Sequence, residues 1–328
     1  MEAAAHGEGC DAVPVIDIAP FTARDGVRRG RVVDAVRSAC EEIGFFVMTG
    51  HGFPEPLVTR IYDASRAFFD LPAEEKNAIG ESGAVMGGLM RFGFGEEALA
   101  ATLGSKSIGD LKETLDFGPG FRGAPWPVNP PDLEPAWRAY YAAVSDLAGT
   151  LRRVFAAAIG LAEDYFEDKF RDHLSSLRVI DYPEQPVPPA PGQLRAGAHS
   201  DYGVLTILLT DEAPGGLQVR TRAGVWIDVP HIPASFVVNI GDAMMCWTDD
   251  RWISTRHRVV NPLVNSGQPT RRQSIAYFHN PARDTVIACL APFREAGVAP
   301  KYPPMTYGEY AERRYRQAHG DGKRLALQ

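Results

Sequence analysis

Apolar positions recur in two rhythms along this chain, and the rhythm changes near Asp172. Before that point helical spacing dominates. Val32, Val36, Ala39, Cys40 and Ile43 fall on one face of a helix that Gly44 stops. Leu57, Ile61, Ala64 and Phe68 mark a second helix, and Leu71–Lys76 opens another with proline and acids in its first turn. The strongest helix is predicted over 135–160, where Trp137, Tyr140, Val144, Leu147, Leu151, Val154 and Ala158 alternate at steps of three and four. That stripe is read as core. Short strands are predicted at Val13–Ile18 and at Phe45–Met48, the second closed by the turn Gly50–Pro54. Residues 80–110 are rich in Gly and Ser and show no period, so they are expected to form a long loop or lid.

Beyond Asp172 short strands alternate with turns. They are predicted at 176–182, 204–210, 217–220, 225–229, 235–240, 257–260, 272–279 and 285–289, with a proline-rich loop at 183–192. The spacing points to an antiparallel sandwich or barrel. A last helix is expected at 307–317. Residues 1–12 are expected to be disordered and 319–328 to form a flexible tail. No repeat or linker divides 13–318, which reads as one domain. Its helical part spans 13–135 and its β core 172–290, so the fold class is α+β with a mainly β core.

Composition narrows the function. Of 328 residues 45% are hydrophobic and 23% charged, enough to bury a real core. Lys and Arg number 34 against 41 Asp and Glu, and the formal net charge is -7. That balance argues against nucleic acid and for a small-molecule substrate. The four cysteines form no CxxC pair and no disulfide framework. The first residues show no secretory pattern, and no apolar run approaches the ~20 residues that span a bilayer. The expectation is a cytoplasmic protein without a membrane partner. Nothing in the sequence fixes the oligomeric state, for which a monomer suffices.

His199-Ser-Asp201 opens the predicted strand at 204–210, and in an extended chain residues i and i+2 share a face. An imidazole and a carboxylate would then project together. His257, 56 positions after Asp201 (257 − 201), is the natural third ligand. Two His and one carboxylate on one side of a metal form the facial set that suits iron(II) and leaves positions for substrate and O2. An HxD pair alone is weak, and the other six histidines are read as structural. Fifteen residues on, Arg272 and Ser274 alternate onto one strand face, a clamp suited to a carboxylate. The competing reading is a surface strand with two arginines. Tyr182 could join the same acid or simply pack in the core.

These residues belong to a dense series of motifs. They are VPVIDI at 13–18, GFFVMTGHGFP at 44–54, FFDLPAEEK at 68–76, DLKETLDFG at 110–118, AHSDYGVLTILL at 198–209, GGLQV at 215–219, VVNIGD at 237–242, RHRVVNP at 256–262 and RRQSIAYFHNP at 271–281. With them the chain resembles the isopenicillin N synthase-like family of iron(II)/2-oxoglutarate dioxygenases over almost its whole length. The resemblance implies a jelly-roll core, or double-stranded β-helix, with N-terminal helices, the long helix packed on the outer sheet and a C-terminal helix. It implies Fe(II) held by His199, Asp201 and His257, and 2-oxoglutarate held by Arg272, Ser274 and Tyr182. It implies O2-dependent hydroxylation or desaturation of a small metabolite, with release of succinate and CO2. One departure is Ile180, where the family pattern NxYP begins with Asn. Asn239 and Asp242 are read as turn formers. An oxidase or cyclase of the same fold that needs no 2-oxoglutarate, and a non-catalytic binding protein, remain the alternatives.

The substrate is expected to meet elements around the mouth of the barrel. In the lid segment Arg91 is a candidate partner for an acidic group, and Phe92 and Phe94 are candidates to pack on an apolar body or merely to anchor the lid. Tyr202, next to a ligand, and Phe278, on the face of Arg272 and Ser274, are candidate cavity residues. The substrate expected from these side chains is largely apolar with one polar or acidic handle.

Overall fold

A computed structural model describes residues 12–79, 87–103, 108–122, 126–213, 216–263 and 267–319. Most of the expected disordered start and tail, and 80–86 and 104–107 of the expected lid, lie outside these residues. Strand β1 (Val15–Asp17) leads through the short α1 (Ala19–Thr22) into α2 (Gly26–Glu42), β2 (Phe45–Thr49), α3 (Glu55–Phe69) and α4 (Ala73–Asn77). Gly44, at φ +71°, lets α2 turn directly into β2, and a Cβ there would lie 2.0 Å from the Ile253 carbonyl oxygen. Then come β3 (Gly87–Phe92), β4 (Glu113–Arg122) and the long α5 (Leu133–Ile159). The remaining strands are β5 (Ser176–Tyr182), β6 (Ala196–His199), β7 (Leu205–Thr210), β8 (Leu217–Arg220), β9 (Trp226–Asp228) and β10 (Phe236–Ile240). After α6 (Asp242–Trp247) follow β11 (His257–Val259), β12 (Arg272–His279), β13 (Val286–Ile287), β14 (Met305–Thr306) and α7 (Tyr307–His319).

Among the described residues an eight-stranded sheet runs β1-β2-β10-β7-β12-β5-β4-β3, and a four-stranded sheet runs β6-β11-β8-β9. One apolar cluster joins the two, with Phe45, Val47, Tyr182 and Val237 from the large sheet meeting Ala196, Leu217, Val219 and Val259 from the small one. The jelly roll is this pair of sheets. The other face of the large sheet carries Ile207, Ile275, Tyr277, Leu177 and Val179 into a second cluster with α5. There Ser145 Oγ meets the Tyr277 hydroxyl at 2.8 Å. The predicted stripe of α5 is buried from Trp137 to Ala158. Gly160 ends the helix at φ +85°, and the amides of Gly160 and Leu161 close the last turn on Ala157 and Ala156. Truncating Leu151, fully buried in this stripe, would cost about 2–5 kcal/mol.

Three expectations change. Part of the expected lid is a strand: β3 pairs antiparallel with β4 at the edge of the large sheet. Its leading glycines hid the strand, and its alternation emerges only at Leu89 and Arg91, both buried. The 13–135 segment is not only helical, since β1 to β4 extend the large sheet on both sides of the later strands. The last predicted strand shrinks to β13, paired with β14. No helix among the described residues is long and apolar enough to cross a membrane.

Candidate active site

The three candidate ligands converge between the sheets, but not as one strand. β6 ends at His199, and Asp201 lies in the crossing to β7. That crossing is fixed by close backbone packing. The amides of Gly241, Asp242 and Ala243 bond the carbonyls of Val204, Asp201 and Gly203, at 3.1, 2.8 and 3.0 Å. A Cβ on Gly241 would sit 2.2 Å from the Gly203 oxygen, so only glycine admits this approach. His257 opens β11, directly opposite His199 in register.

Each ligand has one atom left to give. His199 Nδ1 donates to the Gly197 carbonyl at 2.8 Å, and His257 Nδ1 to the Thr255 carbonyl at 3.1 Å. The Nε2 lone pairs therefore face inward, 3.8 and 3.7 Å from Asp201 Oδ1. Asp201 Oδ2 accepts from Thr206 Oγ1 at 2.5 Å and Asn239 Nδ2 at 2.7 Å. Ligand atoms of the three residues all lie within 4.8 Å of one another. Burial, aided by the neighbouring His257, pushes the His199 imidazolium down to about 3, so the ring is neutral. Burial opposes ionisation of Asp201, but the two imidazoles and the bonds from Thr206 and Asn239 outweigh it and hold the carboxyl below its usual range. Two imidazole nitrogens and one carboxylate oxygen, each residue oriented by a second bond, suit an open-sided iron(II) site.

A cavity of about 390 Å³ surrounds this cluster. Strand register arranges its wall in rows. Arg272 pairs with Tyr182, then Ser274 with Ile180 and Thr114, then Ala276 with Arg178 and Asp116, then Phe278 with Ser176. The deep row is a carboxylate clamp in waiting. The Arg272 guanidinium is 5.2 Å from the Tyr182 ring centroid, its Nη1 is buried with no partner, and its nearest acid is Asp211 at 3.9 Å. Buried Arg195 also lies over the Tyr182 ring, 5.6 Å from its centroid. Burial and the charge of Arg272 push Arg195 down to about 10. An orphaned guanidinium nitrogen beside Ser274 and Tyr182 fits the distal carboxylate of 2-oxoglutarate. Ile180 leaves the middle of the cavity apolar where the family pattern would place an amide.

Tyr202 and Phe278 line the cavity, as their positions predicted. Arg91 and Phe94 do not. Arg91 pairs in register with Leu115, on the helix-facing side of the sheet, where it bonds Asn77 Oδ1 at 2.6 Å and Glu113 Oε2 at 3.3 Å. Phe94 is exposed and Gly95 turns the chain away at φ +75°. The Phe92 side chain lies outside what is described. Neither Asn239 nor Asp242 is a mere turn former. Asn239 lies within β10, opposite Thr206, and both grip Asp201. Asp242 holds the C-terminal helix, accepting from Tyr310 at 3.2 Å and pairing with Arg314 at 2.9 Å.

Sequence reasoning missed the next rows of the wall that carries the clamp. Glu97, Lys112, Arg178 and Asp116 form a buried ionic cluster there, with Asp110 behind it. Burial resists the Glu97 charge, but Arg178 and Lys112 hold its carboxyl far below the usual range. The signal was weak: DLKETLDFG reads as an amphipathic strand, and its partners Glu97 and Arg178 are remote in sequence.

The chain is similar to known proteins along most of its length. Residues 13–136 match the family described as non-haem dioxygenase in morphine synthesis N-terminal, and residues 173–281 match the 2OG-Fe(II) oxygenase superfamily. A 2-oxoglutarate-Fe(II) type oxidoreductase of Emericella nidulans is 35% identical, over 94% of this chain and 91% of that one. A homoarginine-6-hydroxylase of Glycine max is 32% identical, over 91% of this chain and 95% of its own. The crystal structure of a full-length Neurospora crassa protein in complex with alpha-KG has a TM-score of 0.82 at 28% identity, over 97% of this chain and 100% of that one.

Proposed function

Because the chain belongs to the 2OG-Fe(II) oxygenase superfamily, we propose that His199, Asp201 and His257 hold its iron and that Arg272, Ser274 and Tyr182 hold its 2-oxoglutarate. The protein is an oxidoreductase, a 2-oxoglutarate-dependent Fe(II) dioxygenase that oxidises a small molecule. Iron bound by the triad would supply the O2 chemistry that couples decarboxylation of the 2-oxo acid to oxidation of a carbon on the substrate.

The chain's own residues set the conditions for that chemistry. Gly197 and Thr255 carbonyls fix the imidazole tautomers. Thr206 and Asn239 tie down one carboxylate oxygen, so Asp201 offers the other alone. Arg272 fixes one end of the co-substrate while Ile180, Leu208, Leu217 and Val259 exclude water around its body. Tyr202 and Phe278 line the same cavity, where a substrate carbon would be presented. Relatives act on homoarginine or crystallise with thymine, compact nitrogen-bearing molecules that this cavity is large enough to admit.

The observation that carries this reading is the pairing of three inward lone pairs with a buried, partnerless Arg272 Nη1. It also favours the co-substrate-dependent reaction over an oxidase that needs no 2-oxo acid. Anaerobic titration tests it. The wild type should take one Fe(II) per chain and then one 2-oxoglutarate. His199→Ala, Asp201→Ala and His257→Ala should each lose the metal and keep the circular dichroism of the fold. Normal iron binding and turnover in Asp201→Ala would sink the assignment.

A further inference from the structure

We propose that the primary substrate is recognised through N–H groups, and that a positively charged amine or guanidine is preferred over a carboxylate. This rests on the assignment of iron and 2-oxoglutarate above and adds the class of molecule that enters beside them.

The charged side chains lining the cavity are Glu96, Glu97, Asp116 and Asp201 against Lys112, Arg178 and Arg272, four acids and three bases. Iron(II) and the dianion of 2-oxoglutarate cancel each other, so the loaded site keeps one negative charge. Just behind the wall Asp110, against Lys112 at 3.4 Å, and buried Arg195, beside Tyr182, offset each other, so the balance stays at one negative charge. The surplus lies on the substrate side, because Asp201 and Arg272 are committed to metal and co-substrate.

The cations of this wall are already engaged by acids. Arg178 spends Nε and Nη2 on Asp116, at 2.7 and 3.1 Å, and Nη1 on both oxygens of Glu97, at 3.0 and 3.1 Å. Lys112 Nζ lies 2.8 Å from Glu97. A substrate carboxylate would have to displace a buried, doubly bonded acid to reach either one, and would add a like charge to a surplus already there. Burial already raises the Asp116 and Asp110 carboxyls above their usual range. An incoming cation relieves the strain that an incoming anion would increase.

An independent feature points the same way. Asn280 lines the cavity and donates Nδ2 to the Leu174 carbonyl at 3.2 Å, which fixes its amide orientation. Its Oδ1 is buried with no partner, an acceptor in want of a donor. Phe278, Leu99 and Tyr307 give apolar surface for the rest of the molecule.

The test uses the full chain loaded anaerobically with Fe(II) and 2-oxoglutarate. Agmatine and homoarginine serve as cationic probes, thymine as a neutral N–H donor, and benzoate and jasmonate as carboxylates. Binding is read by calorimetry, and substrate-stimulated succinate release is read after O2 is admitted. The proposal expects a cation to bind at least tenfold more tightly than either carboxylate. Asp116→Asn releases one side of the Arg178 fork, so cation affinity should fall at least tenfold while carboxylate affinity rises. Glu96→Gln, on the exposed rim, should weaken the cation alone and replaces Asp116→Asn if that variant no longer takes 2-oxoglutarate. Tighter binding of a carboxylate to the wild type, or no binding of any cation or N–H donor at millimolar concentration, overturns the proposal. Neither result touches the iron and 2-oxoglutarate reading, which fails separately, if the loaded complex does not form.

Discussion

The side-chain amide of Asn239 lies 2.7 Å from Asp201 Oδ2, the carboxylate oxygen that the two imidazoles do not face. Thr206, its cross-strand neighbour, reaches the same oxygen. Two bonds on one oxygen keep the carboxylate from turning both oxygens to a metal. Such supports typically contribute 10–100-fold in metal affinity or activity. Asn239→Ala should therefore weaken Fe(II) binding about tenfold or more and raise the ratio of succinate to oxidised substrate. Thr206→Val should act in the same direction. Unchanged iron affinity in both variants would show that Asp201 needs neither.

Arg272→Lys replaces a planar fork by a point charge in the one row that holds an unpartnered guanidinium nitrogen. The apparent KM for 2-oxoglutarate should rise more than tenfold, at least ~1.4 kcal/mol, with a much smaller change for the primary substrate. Steady-state kinetics with each varied in turn is the check. Equal rises in both would place the substrate, not the co-substrate, on Arg272.

Arg91→Ala should affect stability and leave the chemistry alone. Arg91 is buried against Glu113, which keeps Lys76 at 2.8 Å when Arg91 is gone. The loss should be about 1–3 kcal/mol, seen as a lower melting temperature. A changed KM for either substrate would return Arg91 to the pocket.

Glu97 predicts an acid dependence. Its folded-state carboxyl is depressed below the ordinary 4.5, so its contribution to stability is full above that value and is lost as pH falls through the lower folded one. Comparing the wild type with Glu97→Gln by chemical denaturation should show a gap that is constant near neutrality and narrows below about pH 4.5. A gap that widened on acidification would contradict the sign of this shift.

The inner face of β12 was legible in the sequence because a two-residue period needs only the strand itself, and Arg272, Ser274 and Phe278 fell where alternation put them. The same holds for α5, whose stripe spans many turns. Other features depend on partners the sequence does not place side by side. Leu89 and Arg91 became a strand only through β4, and Arg91 is neutralised by residues on other elements, which made it look free. Asn239 sits in a run that reads as a turn, and its grip on Asp201 follows from pairing with Thr206 across two strands. His199 and Asp201 share a direction because a glycine-tight crossing bends the chain between them, not because a strand continues through them.

The rows of the cavity wall make β12 a ruler. Each step of two residues advances about 6.8 Å along the strand, so clamp, middle and substrate rows are separate addresses on one rigid edge. Resurfacing Ala276 or Phe278 can therefore redirect the enzyme toward another molecule while the co-substrate stays where it was, which marks these positions for engineering. The same ruler tolerates no insertion. One extra residue between Arg272 and Phe278 would swap the faces of every graduation beyond it, sending the wall of the chamber into the helix-facing core and Ile275 or Tyr277 into the cavity.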